Sequence, residues 1–200
     1  MDIGVFGGTF DPIHIGHLIV AEEVRIKFGL GEVIFVPTGQ PWLKANRPVS
    51  SAVHRLEMVR LAINTNPYFK LSTIEVDRPG ISYTVDTMAI LQQQLGAEAR
   101  FLFLLGSDAL AELPQWKEPS RLIQMCRLVV FTRPGAVLSL QSLESAIPGI
   151  SQRVIFVDVP QIDISATQIR QRVAQGASIR YIIPETVERY ILEHKLYMID

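Results

Sequence analysis

His14 and His17 stand three residues apart, just after Gly7-Gly8-Thr9-Phe10-Asp11-Pro12-Ile13. On a helix that spacing puts both imidazoles on one face. Imidazole donates hydrogen bonds to phosphate oxygens, more strongly when it is protonated. The apolar run Ile3 to Phe6 reads as a strand leading into this stretch. Gly7 and Gly8 then read as a tight turn that lets the backbone come close to a ligand, because neither has a Cβ. Beyond the histidines, Leu18, Ala21, Val24 and Phe28 fall on one helical stripe, and Gly29 reads as the stop. A helix start offers unpaired N–H groups and a partial positive charge. Strand, glycine turn, helix start and paired histidines together point to chemistry on a nucleotide phosphate.

Ile164-Ser165-Ala166-Thr167-Gln168-Ile169-Arg170 is a second such place. Ser165 with Gln168 has the spacing of a capping box, so a helix is expected from here to about Gly176. Thr167 and Arg170 share a face of that helix. A helix N-terminus, a hydroxyl and a guanidinium then converge, which suits a second phosphate. Taken alone, Ser165 is read as capping a surface helix with Arg170 solvated. The first motif tips the reading toward phosphate.

Other chemistries fit less well. There is no G-x-x-x-x-G-K-[ST], and Gly4, Gly7 and Gly8 do not make G-x-G-x-x-G. Metal ligation by His14 and His17 lacks an obvious third ligand, and the single cysteine, Cys126, lies in an apolar run. The formal net charge is −1, which argues against a broad nucleic-acid surface. One cysteine excludes an internal disulfide and fits a reducing cytoplasm. Asp2 with no basic stretch at the start argues against a signal peptide. No apolar run approaches the length of a membrane span, so no membrane partner is expected.

The elements that must position these residues show in the hydropathy pattern. Ile3–Phe6, Val33–Val36, Phe101–Leu105, Leu128–Phe131 and Val154–Val157 are apolar throughout rather than alternating. That is the mark of strands buried on both faces of a parallel sheet. Phe69–Ile74 is a weaker strand candidate, suited to an edge. Between them lie helical stripes: Leu56, Val59 and Ile63, then Val85, Met88, Leu91 and Leu95. Alternating strands and helices predict an α/β fold, a Rossmann-like doubly wound parallel sheet with helices on both faces, in one domain over residues 1–200. In such sheets ligands bind beyond the carboxyl ends of the strands, where strand order reverses. The stretch after Phe6 lies at such an end, and so does Gly106-Ser107-Asp108. Pro37 to Ser51, with Lys44 and Arg47, reads as a long loop carrying positive charge. Pro134 to Pro148 reads as irregular with a short helix inside. Pro184–Leu196 reads as a closing helix for packing or self-association, which leaves a homo-oligomer open. His54 and His194 carry no motif and read as surface residues.

G-G-T-F-D-P-x-H-x-G-H resembles the N-terminal signature of the nucleotidylyltransferase superfamily, and I-S-A-T-Q-I-R is similar to its I-S-S-T-x-x-R, with Ala166 where a serine is common. Ser82-Tyr83-Thr84-Val85-Asp86-Thr87, Leu105-Gly106-Ser107-Asp108, Leu113-Pro114-Gln115-Trp116-Lys117 and Phe131-Thr132-Arg133-Pro134-Gly135 narrow the resemblance to bacterial nicotinate-nucleotide adenylyltransferases. The resemblance implies adenylyl transfer from ATP to nicotinate mononucleotide with Mg²⁺, giving deamido-NAD and pyrophosphate, without a covalent enzyme intermediate. The rival transfers on this scaffold take nicotinamide mononucleotide, phosphopantetheine or a cytidylyl group. A class I aminoacyl-tRNA synthetase lacks support because there is no K-M-S-K-S. A non-catalytic nucleotide sensor would be expected to have lost the histidines or Arg170.

Roles follow from the resemblance residue by residue. Gly7, Gly8, Thr9 and Phe10 surround the α-phosphate and adenosine. His14 and His17 hold the triphosphate, with His17 on the α-phosphate. Ile164, Ser165, Thr167 and Arg170 hold the β- and γ-phosphates. Lys44 neutralises charge between the two phosphates; a solvated loop lysine is the other reading. Gly106 and Asp108 meet the ribose or the metal. Trp116 stacks on the nicotinate ring; a core tryptophan is the alternative. Tyr83 and Thr84 open a helix whose N–H groups receive the nicotinate carboxylate, and Arg133 takes the substrate phosphate.

Overall fold

The computed structural model describes residues 1–41, 49–131, 139–160 and 162–198. Six parallel strands form the main sheet: β1 (Asp2–Gly8), β2 (Glu32–Pro37), β4 (Phe69–Leu71), β6 (Arg100–Gly106), β7 (Cys126–Phe131) and β8 (Val154–Val157). Two short strands, β3 (Gln40–Pro41) and β5 (Ile81–Ser82), pair separately. The main sheet runs in the order β4-β2-β1-β6-β7-β8. The chain therefore winds outward from β1 in one direction, then returns to β6 and winds outward in the other. The switch point lies between β1 and β6, where Phe6 pairs with Leu104.

The continuous apolar runs of β1, β2, β6 and β7 have the physical cause inferred for them; the run Val154–Val157 does not, because β8 is an edge strand with Phe156 exposed to solvent. Successive side chains of a strand point to opposite faces. Phe6, Leu102, Leu104 and Val129 enter one core, while Ile3, Val5, Phe103, Leu105 and Val130 enter the other. On the first face lie α1 (Ile15–Phe28), α2 (Ala52–Ile63), α8 (Ala166–Ala174) and α9 (Glu185–Glu193), which supply Val24, Met58, Ile169 and Ile191. On the second lie α4 (Thr84–Leu95), α5 (Ser107–Glu112), α6 (Pro119–Met125) and α7 (Leu140–Ala146), which supply Met88, Leu110, Leu122 and Leu143. One turn of helix, α3 (Ile74–Asp77), sits between β4 and β5.

Several expectations need correction. The strand predicted over 69–74 ends at Leu71, and Ile74 opens α3, whose Glu75 is buried. Gly7 and Gly8 do not form a turn: they continue β1, and the left-handed residue is Phe10, with φ of 49°. The glycines are needed for closeness instead. A Cβ on Gly8 would lie 3.0 Å from the Phe10 ring, and one on Gly7 would lie 3.3 Å from Phe103. The buried stripe of α2 is Arg55, Met58, Val59, Ala62 and Ile63, with Leu56 only half-buried. Leu95 is exposed at the end of α4. His54 is half-buried rather than on the open surface, and its Nδ1 lies 2.9 Å from the Tyr190 hydroxyl. The closing helix α9 turns its apolar face onto α2 within the chain.

Candidate active site

Gly29 terminates α1 in the left-handed conformation, as its sequence position suggested. At the other end of α1, His14 is the N-cap and His17 lies in the first turn. Their rings stack with centroids 3.7 Å apart. The His14 N–H donates to His17 Nδ1 at 3.2 Å. An accepting Nδ1 leaves the proton of neutral His17 on Nε2, which makes that atom a donor. Phe10, only 3 % exposed, packs edge-on against His17 at 5.1 Å and against Phe6 at 5.7 Å. Its ring therefore belongs to the core, and what Phe10 can offer a ligand is backbone. Phe6, at 5.9 Å, and Phe10 back His17 edge-on, and Phe35 packs against both of those rings.

The second motif folds back onto the first. Ser165 caps α8, accepting from Gln168 N at 3.2 Å, while the Gln168 side chain accepts from Ser165 N at 3.0 Å. The capping box is thus formed, and the Ser165 hydroxyl is engaged as an acceptor in it. Ala166 is the first residue of α8, and Ile164 packs against the first core. Arg170 Nη1 donates to the carbonyl of Asp11 at 2.7 Å, and Nη2 reaches Thr167 Oγ1 at 3.4 Å. That first bond joins residues 159 positions apart and brings both motifs together beyond the carboxyl end of β1.

The remaining candidates, Gly106 and Asp108 for the ribose or the metal and Trp116, Tyr83 and Thr84 for the pyridine, lie on the second face of the sheet. Gly106 ends β6 and is the N-cap of α5, with Asp108 exposed in its first turn. Trp116 follows α5 and is half-buried against the second core, edge-on to Phe103 with centroids 6.2 Å apart. Phe103 therefore stands between Trp116 and Gly7, where the two halves of the site meet. Tyr83 is the N-cap of α4 and Thr84 its first residue. Lys117 ties these segments together: its Nζ lies 3.0 Å from Asp86 Oδ2 and 4.9 Å above the Tyr83 ring. Lys44 and Arg133 lie outside the described residues.

Sequence reasoning missed three groups. Asp11 is 5 % exposed; its carboxylate accepts from Ser50 N at 3.2 Å and from the Tyr197 hydroxyl at 2.7 Å. Arg55 is 2 % exposed and donates to the carbonyls of Ser50, Thr9 and Gly39 at 3.0, 2.9 and 3.0 Å. Its one visible signal was a charged residue on the apolar stripe of α2. Burial depresses the Arg55 pKa, an effect opposed by the nearby Asp11 and Glu75 carboxyls. Glu75 is the third. Burial raises its pKa, opposed by hydrogen bonds from Thr87, Ser82 and the Gly39 N–H and by the charge of Arg78. The Thr87 hydroxyl is 2.6 Å from Glu75 Oε1. Gly39 is thus held at its carbonyl by Arg55 and at its N–H by Glu75, and a Cβ there would lie 2.1 Å from the Glu75 carbonyl oxygen.

The arrangement offers two helix starts and a histidine pair on one face, and an indole on the other. A cytidylyltransferase-like family model matches residues 5–172. A Roseiflexus protein named "Probable nicotinate-nucleotide adenylyltransferase" is 49 % identical over 98 % of this chain and 97 % of its own length. A protein of the same name from Thermoanaerobacter is 46 % identical over 99 % of this chain and 95 % of its own. Among solved structures, a Plasmodium falciparum nicotinic acid mononucleotide adenylyltransferase in complex with NaAD superposes with a TM-score of 0.80. It is 21 % identical and is matched over 98 % of this chain and 97 % of its own, which establishes the shared fold. With its sheet order, both motifs and near-complete coverage of these relatives, the chain belongs to the nicotinate-nucleotide adenylyltransferases of the cytidylyltransferase-like family.

Proposed function

We propose that this protein transfers the adenylyl group of ATP to nicotinate mononucleotide, releasing pyrophosphate and forming deamido-NAD in NAD biosynthesis. The observation that carries the reading is the bond from Arg170 to the Asp11 carbonyl, which brings the start of α8 to the histidine pair at the start of α1. A 5′-phosphate oxygen of the mononucleotide forms the new bond to the α-phosphorus as the bond to pyrophosphate breaks. Such reactions are accelerated by positioning and charge stabilisation. His17 donates from Nε2 to the α-phosphate, and His14 supports it. Thr167, Arg170 and the first N–H groups of α8 receive the β- and γ-phosphates as they leave. Gly7, Gly8, Thr9 and the backbone of Phe10 line the α-phosphate and adenosine, and Gly106 lies toward the ribose. We assign Lys44 to the charge between the two phosphates and Arg133 to the mononucleotide phosphate.

Trp116 presents an aromatic ring to the pyridine, and the start of α4 at Tyr83 and Thr84 receives its carboxylate. A carboxylate accepts those N–H bonds, whereas an amide NH₂ would face donors, so the acid is preferred to the amide. Mg²⁺ fits here as an ion carried by the phosphates. Among the described residues no three His, Cys, Asp or Glu side chains gather to hold one. Mg²⁺ commonly takes one or two carboxylates plus substrate phosphates, and Asp108 is the carboxylate placed to contribute. When bound, the ion neutralises charge on the triphosphate. Burial pushes the pKa of the single thiol, Cys126, up to about 12, so it is no nucleophile near neutral pH. We take residues 1–200 as one catalytic domain working in the cytoplasm.

The test is pyrophosphate release from ATP and Mg²⁺ with nicotinate mononucleotide, nicotinamide mononucleotide and phosphopantetheine in turn. Fast release with the nicotinate substrate alone is expected. Equal rates with both pyridine nucleotides would remove the account of Tyr83 and Thr84. Release with phosphopantetheine alone would overturn the substrate assignment.

A further inference from the structure

Arg55 is a buried guanidinium whose three nitrogens each donate to a different backbone carbonyl. One carbonyl, Thr9, belongs to the turn that leads into the histidine pair. Gly39 follows β2, and Ser50 precedes α2. A rigid fork that reaches three separate segments fixes their relative positions, because the donors of a guanidinium lie in one plane at set angles. Asp11, two residues beyond Thr9, is held from other directions: Ser50 N and the Tyr197 hydroxyl on its carboxylate, Arg170 on its carbonyl. Tyr197 sits near the far end of the chain, 186 positions away; it is half-buried, and desolvation of its hydroxyl, with the Asp11 carboxylate beside it, raises its pKa strongly. It therefore remains a hydrogen-bond donor to Asp11 at any working pH.

We propose that Arg55 is a positioning residue for the transfer step, setting the Thr9–Asp11 turn and through it Arg170, with Tyr197 bracing the same turn from behind. The proposal rests on the adenylyl-transfer reading of the site. Arg55 touches no substrate. It acts through the Asp11 carbonyl, which orients the Arg170 guanidinium toward the phosphates that leave. A turn displaced by about 1 Å lowers the rate about a hundredfold when the reacting groups depend on it. Ground-state binding of ATP, spread over many backbone donors, changes far less.

Arg55→Lys keeps the charge and much of the volume but replaces the planar fork with a single ammonium. Steady-state pyrophosphate release is expected to show kcat down at least tenfold, with KM for ATP and for the mononucleotide each within about threefold. Tyr197→Phe deletes one hydroxyl from the same brace and should lower kcat about threefold or more with KM values unchanged. A merely structural Arg55 predicts the opposite pattern: a lower Tm with normal kcat in the folded fraction, which would overturn the proposal. If Arg55→Lys does not fold, Tyr197→Phe decides alone, and a kcat equal to that of the unaltered chain would sink the idea. Should the unaltered chain itself release no pyrophosphate, the reaction reading fails separately. The brace is then judged by amide hydrogen exchange at Phe10 and Asp11, where tenfold faster exchange in Arg55→Lys supports it and unchanged exchange overturns it.

Discussion

Arg170→Lys isolates the contact that unites the two motifs. Lysine keeps the positive charge for the phosphates but cannot donate to the Asp11 carbonyl and a ligand in the same fixed plane. The bond at stake is 2.7 Å long, is donated by a charged group, and is half-buried. Hydrogen bonds to charged groups contribute about 1.5–3 kcal/mol. At about 1.36 kcal/mol per factor of ten, losing that orientation wholly in the transition state lowers kcat about 10- to 150-fold. The companion contact to Thr167 Oγ1, at 3.4 Å and exposed, adds little. The fold should barely notice: a loss near 1 kcal/mol would move Tm by about 2–4 °C in a chain of this size. The assay is pyrophosphate release at saturating ATP, Mg²⁺ and nicotinate mononucleotide, with a thermal melt of the same sample. A kcat within threefold of the unaltered chain would refute the reasoning. So would a KM for ATP that rises with kcat unchanged, because the arginine would then bind ground and transition states alike.

Removing a donor aimed at developing charge commonly costs 10²–10³ in kcat, so His17→Ala is expected to lose about that much with its far-ultraviolet circular dichroism unchanged. A folded variant with near-normal turnover would take His17 out of the chemistry. Trp116→Ala should raise KM for the mononucleotide by about 2- to 12-fold, the value of an aromatic contact worth about 0.5–1.5 kcal/mol, and leave KM for ATP nearly constant. Equal rises for both substrates would make Trp116 a packing residue only. Glu75 has a raised pKa in the fold, chiefly from burial. The sign follows from proton binding. Its protonated form is favoured in the folded state, so the full stability is present below the unfolded pKa and part is lost as pH climbs to the folded one. Glu75→Gln cannot ionise, and its stability relative to the parent should therefore rise across that window. Denaturant unfolding of both proteins from mildly acidic to neutral pH tests this, and a constant difference would contradict it.

What lies close in sequence was readable in sequence. The Ser165–Gln168 capping box, the Gly29 helix stop and the placing of the two histidines at the start of α1 depend on residues within four positions of one another and appear in the structure, with His14 as the N-cap rather than in the first turn. The two-sided strands were readable for a related reason, since a run such as Phe101–Leu105 with no polar alternation has no solvent face to offer. Local rules misled where a distant neighbour decided the outcome. Gly7 and Gly8 looked like a turn, yet they extend β1 by pairing with Val36 and Pro37 of β2, and the rings of Phe103 and Phe10 occupy the space that a Cβ would need. Arg55 went unread, because the three carbonyls that hold it inside come from separate segments.

The sequence by itself determined the periodic elements, both helix starts and the chemistry of the side chains carried there, because each follows from spacing along a single segment. Only the tertiary structure decided the strand order that sets the switch point between β1 and β6, and the meeting of Arg170 and Tyr197 on Asp11. Those contacts join residues 159 and 186 positions apart, so no local pattern encodes them. They arise when the sheet packs helices α1, α2 and α8 over one face and brings the ends of the chain together.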